Sequence, residues 1–273
     1  MRPYEWERVL FAATERVRRK VAQLSKTEEG GRSLGVGASG DTTIYADRTA
    51  EDEILRALEK AGPTRVLSEE AGSVGDARAH TLAIVDPLDG SSNFEHGIPF
   101  YCTSVAIAEG GSFEDITVGV VRDLVSGDVY SAVRGSGARK NGKRIRASKT
   151  DSLSEAVVGI DLSRGGRGIM RRLAPLVTAA RRQVHFGANA LELCYVAEGR
   201  TDAFVDLRGT IRITDAAAAL LIAREAGGAI TQADGRNLDP VFDLAHRLSF
   251  VASANPKLHK EILELIGRGA GGG

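Results

Sequence analysis

The chain has 273 residues, with 36 basic and 36 acidic side chains, a formal net charge of zero and a hydrophobic content of 42%. That length and composition describe a soluble globular protein with a sizeable core, and exclude both a mini-protein and a long repeat array. The balanced charge leaves no broad footprint for nucleic acid or an anionic membrane, so the expected partner is a small molecule.

The N-terminal segment is interrupted by Glu5, Glu7 and Glu15, no apolar run approaches the ~18 residues of a membrane span, and a cytoplasmic protein is expected. Val9, Leu10, Ala13, Val17, Val21 and Leu24 recur at helical intervals and predict an amphipathic helix. The glycine-rich residues 28–40 read as a mobile loop rather than a strand. DTTIYAD then has strand character, and a helix N-capped by Thr49 runs to Gly62. Two β-rich runs follow, TRVLSEE and TLAIVDPLDG, each ending in carboxylates at its C-terminal edge, where α/β sheets tend to build their sites. Residues 101–147 alternate strands with turn signals and predict an antiparallel meander. The second half reads as strand AVVGID, a helix over residues 168–182, helix ALELCYVAEG, strand DAFVDL, helix TDAAAALLIAREAGG, strand FVASA and a helix over residues 256–266. A polar span at residues 149–154 is the expected seam between an N-terminal half, 1–150, and a C-terminal half, 151–273, and the terminal GRGAGGG is expected to be disordered.

Asp86 and Asp89 lie in DPLDGSSNF, directly after an apolar strand, where Pro87 stiffens the turn and Gly90 lets the backbone bend sharply. Acids at this spacing converge on one point, which is costly unless cations offset the repulsion, and hard oxygen donors favour Mg²⁺ or Mn²⁺ over zinc. Taken alone, the motif is explained as well by a surface turn. It is followed, however, by Gly90, Ser91 and Ser92, whose amides and hydroxyls suit a phosphate, and preceded by Glu69 and Glu70 at a strand end. Asp215 opens an alanine-rich helix and reads equally as a site acid or an ordinary cap. Cys102 and Cys194 lack metal-ligand or phosphate-cradling spacing and read as buried thiols, and His96 reads as a structural loop histidine.

SEEAG, DPLDGSSNFEHGIPF and ITDAAAALLIAREAGG together resemble, in order and spacing, the three signature segments of the inositol monophosphatase superfamily of metal-dependent, lithium-sensitive phosphatases. GASGDTTIYADRTAE, GANALELCYVA and DAFVDLRG look most like its archaeal-type branch, whose members act on fructose 1,6-bisphosphate as well as inositol phosphates. The resemblance implies an α/β fold, a layered αβαβα sandwich with mixed and antiparallel sheets, a homodimer, and two or three Mg²⁺ ions replaceable by Mn²⁺. It implies Glu69, Asp86, the Leu88 carbonyl, Asp89 and Asp215 as metal ligands, and Asp41 and Glu70 as candidates for a third metal. Glu69, Ser91 and Asp47 would prepare the attacking water, with no covalent phosphoenzyme. Substrate contacts would come from Gly90, Ser91, Ser92, Gly187, Asn189, Asp206 and Arg208. Inositol-preferring relatives commonly carry an acid where Arg208 stands, so Arg208, with Arg212 a weaker candidate, is expected to grip a second phosphate while Asp206 meets a sugar hydroxyl.

The expected function is therefore Mg²⁺-dependent hydrolysis of fructose 1,6-bisphosphate, inositol monophosphate or both, in carbohydrate metabolism and gluconeogenesis. The alternatives are a narrow inositol monophosphatase, a 3′-phosphoadenosine-type nucleotidase, for which an aromatic content of 5% offers little base stacking, and a regulatory member without turnover.

Overall fold

The N-terminal apolar stripe folds into α1 (Pro3–Leu24), which buries Trp6, Leu10, Val17 and Val21 along one face. In this computed structural model, residues 1–268 are described. After α1 come β1 (Ser33–Val36), β2 (Thr42–Ile44), α2 (Tyr45–Ala61), β3 (Arg65–Ser68), β4 (Gly72–Gly75) and β5 (Leu82–Asp89). A short α3 (Ser91–Glu95) precedes the meander of β6 (Cys102–Ala108), β7 (Ile116–Asp123), β8 (Val129–Val133), β9 (Ala138–Lys140) and β10 (Lys143–Arg144). The rest of the chain forms β11 (Val157–Ile160), α4 (Arg167–Ala179), β12 (Arg182–Val184), α5 (Asn189–Glu198) and β13 (Ala203–Ile211). It closes with α6 (Ile213–Glu225), β14 (Ala229–Gln232), β15 (Leu248–Ser253) and α7 (Pro256–Arg268).

The strands form a large sheet ordered β10-β9-β8-β7-β6-β5-β3-β4, a smaller one ordered β12-β11-β13-β15-β14, and a separate β1-β2 hairpin. In the large sheet only the β3–β5 pair is parallel; in the small sheet β12, β11 and β13 run parallel and β15 is antiparallel to both its neighbours. Helices α1 and α2 cover one face of the large sheet, α5 and α6 fill the space between the sheets, and α4 and α7 cover the outer face of the small sheet. This is the expected αβαβα layering.

Helix α6 is the centre of that stack. Every residue from 213 to 223 is buried, the pattern of a helix enclosed by core on all sides, and Leu220, Leu221 and Ile222 contribute about 1.5–3 kcal/mol each by burial. Alanine keeps the helix thin, and Gly119 of β7 lets it lie close: a Cβ there would sit 2.6 Å from the Ala218 carbonyl oxygen. One consequence is that the N-terminus of α6, with Asp215, is held at a fixed position against the large sheet.

Four local expectations are corrected. Residues 28–40 are not all loop, because β1 pairs antiparallel with β2 in a hairpin. Helix α2 begins at Tyr45, so Thr49 is inside it and donates its hydroxyl to the Tyr45 carbonyl (2.8 Å) instead of capping. Asp47 consequently stands in the first turn of a helix, not in a strand. The strands β4, β12 and β14 carry no clear apolar alternation because each is a sheet edge, paired on one side only. Of the terminal GRGAGGG, Gly267 and Arg268 finish α7, and the remainder lies outside the described residues.

Candidate metal centre

The acids of DPLD are aimed by a bulge. Asp86 pairs with Ser104 on β6 while Asp89 pairs with Cys102, so β5 fits an extra residue between them, and such a bulge re-aims side chains. Pro87 has no amide to lose there, and its carbonyl accepts the Thr103 hydroxyl at 2.7 Å. Gly90 follows with φ of 89°, and a Cβ on it would meet the Phe100 carbonyl oxygen at 3.0 Å and the Ala188 side chain at 3.1 Å.

Asp86 then meets Glu69, from the end of β3, and Asp215, from the first turn of α6. Carboxylate oxygens of the three lie within 4.8 Å of one another. Burial, then repulsion from Asp215, raises the Glu69 carboxyl well above its usual range. Asp86 is raised in the same way by burial and by Glu69, and Asp215 is raised by burial. Three converging anionic oxygens that resist ionisation fit a hard divalent cation such as Mg²⁺ or Mn²⁺, whose charge would offset both costs.

Asp89 is placed differently from this trio. Its two oxygens accept the amides of Asn189 (3.1 Å) and Ala190 (2.7 Å) at the N-terminus of α5, and the Cys102 thiol lies 3.5 Å from one of them. Burial and the nearby Asp215 nevertheless push its carboxyl up to about 8. Leu88 is buried between the two aspartates, its amide donating to Asp86 (3.1 Å).

Asp47 and Asp215 occupy equivalent places in their helices. Asp47 accepts the Ile44 amide (2.8 Å) and Asp215 the Arg212 amide (3.0 Å), so each acid is pinned by the turn that starts its own helix. Burial, with repulsion from Glu70, raises Asp47 to about 8. Ser91 opens α3 half-buried, and among the described residues no hydrogen bond joins it to Asp47. Ser92 is exposed, and its carbonyl lies 2.7 Å from His96 Nδ1.

Glu51, which the sequence did not single out, braces the Glu69 segment. It lies one turn beyond Asp47 on the same buried face of α2 and accepts the Ser68 hydroxyl (2.6 Å) and the Ala71 amide (2.8 Å), on either side of Glu69 and Glu70. The β1–β2 hairpin tip rests on the same segment, with the amides of Ala38 and Ser39 donating to the Glu70 and Glu69 carbonyls. The Glu70 carboxylate takes the Thr43 hydroxyl.

Arg212 enters this cluster as its cation. Its guanidinium donates to Glu69 (2.9 Å), pairs with Asp41 of the hairpin tip and lies 3.9 Å from Asp215. Its charge is thus engaged by three acids, and Asp41 is held by Arg212. The signal in the sequence was its position three residues before Asp215, the spacing at which a helix's first turn brings the N-cap residue beside the N3 acid.

A second charged group joins Asp161 and His185, just past the C-terminal ends of β11 and β12, to Asp206 and Arg208 in the middle of β13. Arg208 donates from Nε to Asp206 (2.9 Å) and from an η nitrogen to the Ser163 hydroxyl (2.9 Å), and pairs with Asp161. Asp206 is buried and Arg208 is half-buried against it, so the two residues expected to meet a sugar hydroxyl and a second phosphate are paired with each other here. His185 lies 3.2 Å from Glu192 and 3.5 Å from Asp161, and its pKa is raised first by Glu192. The Gly187 amide donates to Glu192 (3.0 Å) and the Asn189 amide to Asp89, so neither backbone donor is idle. Both cysteines are free and buried, as expected.

The sequence pattern described as the inositol monophosphatase family matches residues 5–269. The chain is 39% identical to a fructose-1,6-bisphosphatase/inositol-1-monophosphatase of Methanothermobacter thermautotrophicus, covering 96% of this chain and 97% of the relative. It is 36% identical to a protein of the same description from Thermococcus kodakarensis, over 96% and 98%. Among solved structures, the extragenic suppressor protein suhB of Bartonella henselae superimposes with a TM-score of 0.86 at 29% identity, covering 97% of this chain and 99% of its own.

Proposed function

The chain belongs to the inositol monophosphatase family, and we propose that it is a Mg²⁺-dependent phosphatase hydrolysing fructose 1,6-bisphosphate and inositol monophosphate. The observation that carries this reading is the convergence of Glu69, Asp86 and Asp215 within 4.8 Å. Those three, with Asp89 and the Leu88 carbonyl beside them, would hold the metal, whose bound charge supplies Lewis acidity toward the phosphoryl oxygens and a lowered pKa for water. Asp47, buried and pinned by the Ile44 amide, suits a residue that orients and deprotonates water with the Ser91 hydroxyl. Glu51 keeps Glu69 in place from behind.

A second reading, preference for inositol monophosphate, is favoured by one observation: Arg208 already carries Asp206 and Asp161 and has no free charge for a second phosphate. Specificity constants for fructose 1,6-bisphosphate and inositol 1-phosphate decide between them. A higher value for the bisphosphate supports the first reading, and a higher value for inositol 1-phosphate supports the second. Phosphate release that survives metal stripping removes both. Asp47→Asn and Ser91→Ala are expected to lower kcat more than they raise KM, with a less than additive combined effect.

The division into halves at residues 1–150 and 151–273 is part of this reading, supported by β10 ending at Arg144 and β11 beginning at Val157. The homodimer rests on the family resemblance and the cytoplasmic location on the charged N-terminal segment; no helix among the described residues is long and apolar enough to cross a membrane. A light-scattering mass near the 28.9 kDa of one chain would refute the dimer.

A further inference from the structure

Arg212 occupies the place where a metal's charge is needed. It is the only Lys, Arg or His among the described residues that ion-pairs with Glu69 or Asp215, and it also holds Asp41. Its side chain is nearly buried, yet its Nε finds no hydrogen-bond partner. A guanidinium cannot discharge itself by losing a proton. One positive charge therefore faces the converging carboxylates of Glu69, Asp86 and Asp215, whose oxygens lie within 4.8 Å of one another. A dication would supply twice that charge and would need Glu69 Oε1, the oxygen Arg212 now holds, or an oxygen close beside it.

We infer that Arg212 is the resident counter-cation of the metal-free site, that a divalent metal displaces it from Glu69 and Asp215, and that its bond to Asp41 links the metal state to the β1–β2 hairpin. The inference rests on the metal-binding reading above. In the metal-free protein Arg212 keeps the acid cluster from forcing itself apart and clamps the hairpin tip, already seated on the Glu69 and Glu70 carbonyls, over the site. Loading the metal removes the reason for that clamp, because the charge that held Arg212 is then neutralised.

Displacement has a thermodynamic signature that a purely structural arginine lacks. If Arg212 stabilises only the metal-free state, its loss costs stability without metal, costs none at saturating metal, and tightens metal binding by the same factor. The test is calorimetric titration of Mg²⁺ and Mn²⁺ into metal-stripped wild-type and Arg212→Gln protein, with melting curves of both in chelator and in saturating metal. The expected result is metal affinity about tenfold higher in Arg212→Gln, the scale of one charge-assisted hydrogen bond, and a melting deficit that disappears on metal loading. Unchanged or weaker affinity, or a deficit that persists at saturating metal, overturns the inference. If wild-type protein binds no metal at all, it is the metal-binding reading that fails.

Should Arg212→Gln not fold without metal, wild-type protein answers the question by NMR. The Arg212 Nε–Hε signal, assigned by its absence in Arg212→Lys, is expected to shift with the same stoichiometry as the calorimetric binding. A signal unmoved at full metal occupancy would show that the guanidinium stays where it is.

Discussion

The two charged constellations of this protein are built from the same residue types and behave in opposite ways. Beside the end of β11 and the middle of β13, Arg208 is shared between Asp161 and Asp206, and His185 between Asp161 and Glu192, so each acid has a cation or a ring of donors. At the C-terminal ends of β3 and β5, Glu69 and Asp86 converge with Asp215, Asp89 and Asp47 are close by, and the single guanidinium of Arg212 faces them. The first arrangement is the more nearly closed: three carboxylates share one guanidinium and one imidazole whose pKa is raised. In the second a single guanidinium faces a larger set of acids, and that surplus is what a bound metal would offset. Acid content alone does not mark a functional centre; the balance of charge within the contact set does.

Breaking the closed constellation should have the largest effect on folding. Arg208→Ala leaves the buried Asp206 and Asp161 without their cation, and a loss of about 3–5 kcal/mol in denaturant unfolding is expected. A loss below about 1 kcal/mol would mean that the network is not closed as described.

The open constellation should respond in the reverse sense. Asp86→Asn or Asp215→Asn is expected to cut turnover by at least ~10²-fold, since each removes charge from the group that would hold the metal. The same changes should raise the melting temperature of metal-stripped protein, because each removes a carboxylate that the fold disfavours as an anion. Lower melting temperatures in both variants would count against the charge surplus.

A smaller effect, in pH, sharpens the same contrast. Asp47 and Asp89 have folded-state values of about 8 against 3.8 for the ordinary group, so the folded protein holds protons that the unfolded chain releases. Their contribution to stability is fully present below the ordinary value and is lost as pH rises toward about 8. Metal-stripped protein should therefore melt lower at about pH 8 than at about pH 5, and saturating Mg²⁺ should flatten that slope. An equal slope with and without Mg²⁺ would separate these acids from the metal site.

Much of this is legible in the sequence. The αβαβα layering is what the family resemblance implies, and that resemblance is carried by short runs, DPLDG, SEE and the Asp-led helix, whose local chemistry is self-contained: an apolar strand, a proline without an amide, a glycine at positive φ. Asp47 was found as a site acid but assigned to a strand, because the alternation in TTIY hides a helix start that depends on its own carboxylate capping Ile44. The edge strands β12 and β14 were missed because edges lack the two-sided burial that produces a readable pattern. Arg208, and more weakly Arg212, read from the sequence as phosphate-binding candidates, and a sequence shows an arginine's charge but not the acids it lies beside. Glu69 and Asp41 reach Arg212 from far along the chain, and only packing of α6 between the sheets brings them together.

The charge-surplus account is tested most directly by locating a cation. Crystals of the protein soaked in Mn²⁺ and measured for anomalous scattering are predicted to show a peak in contact with Glu69, Asp86 and Asp215 and none among Asp161, Asp206 and Glu192. A map with no peak at the first cluster, or with its strongest peak at the second, would contradict it.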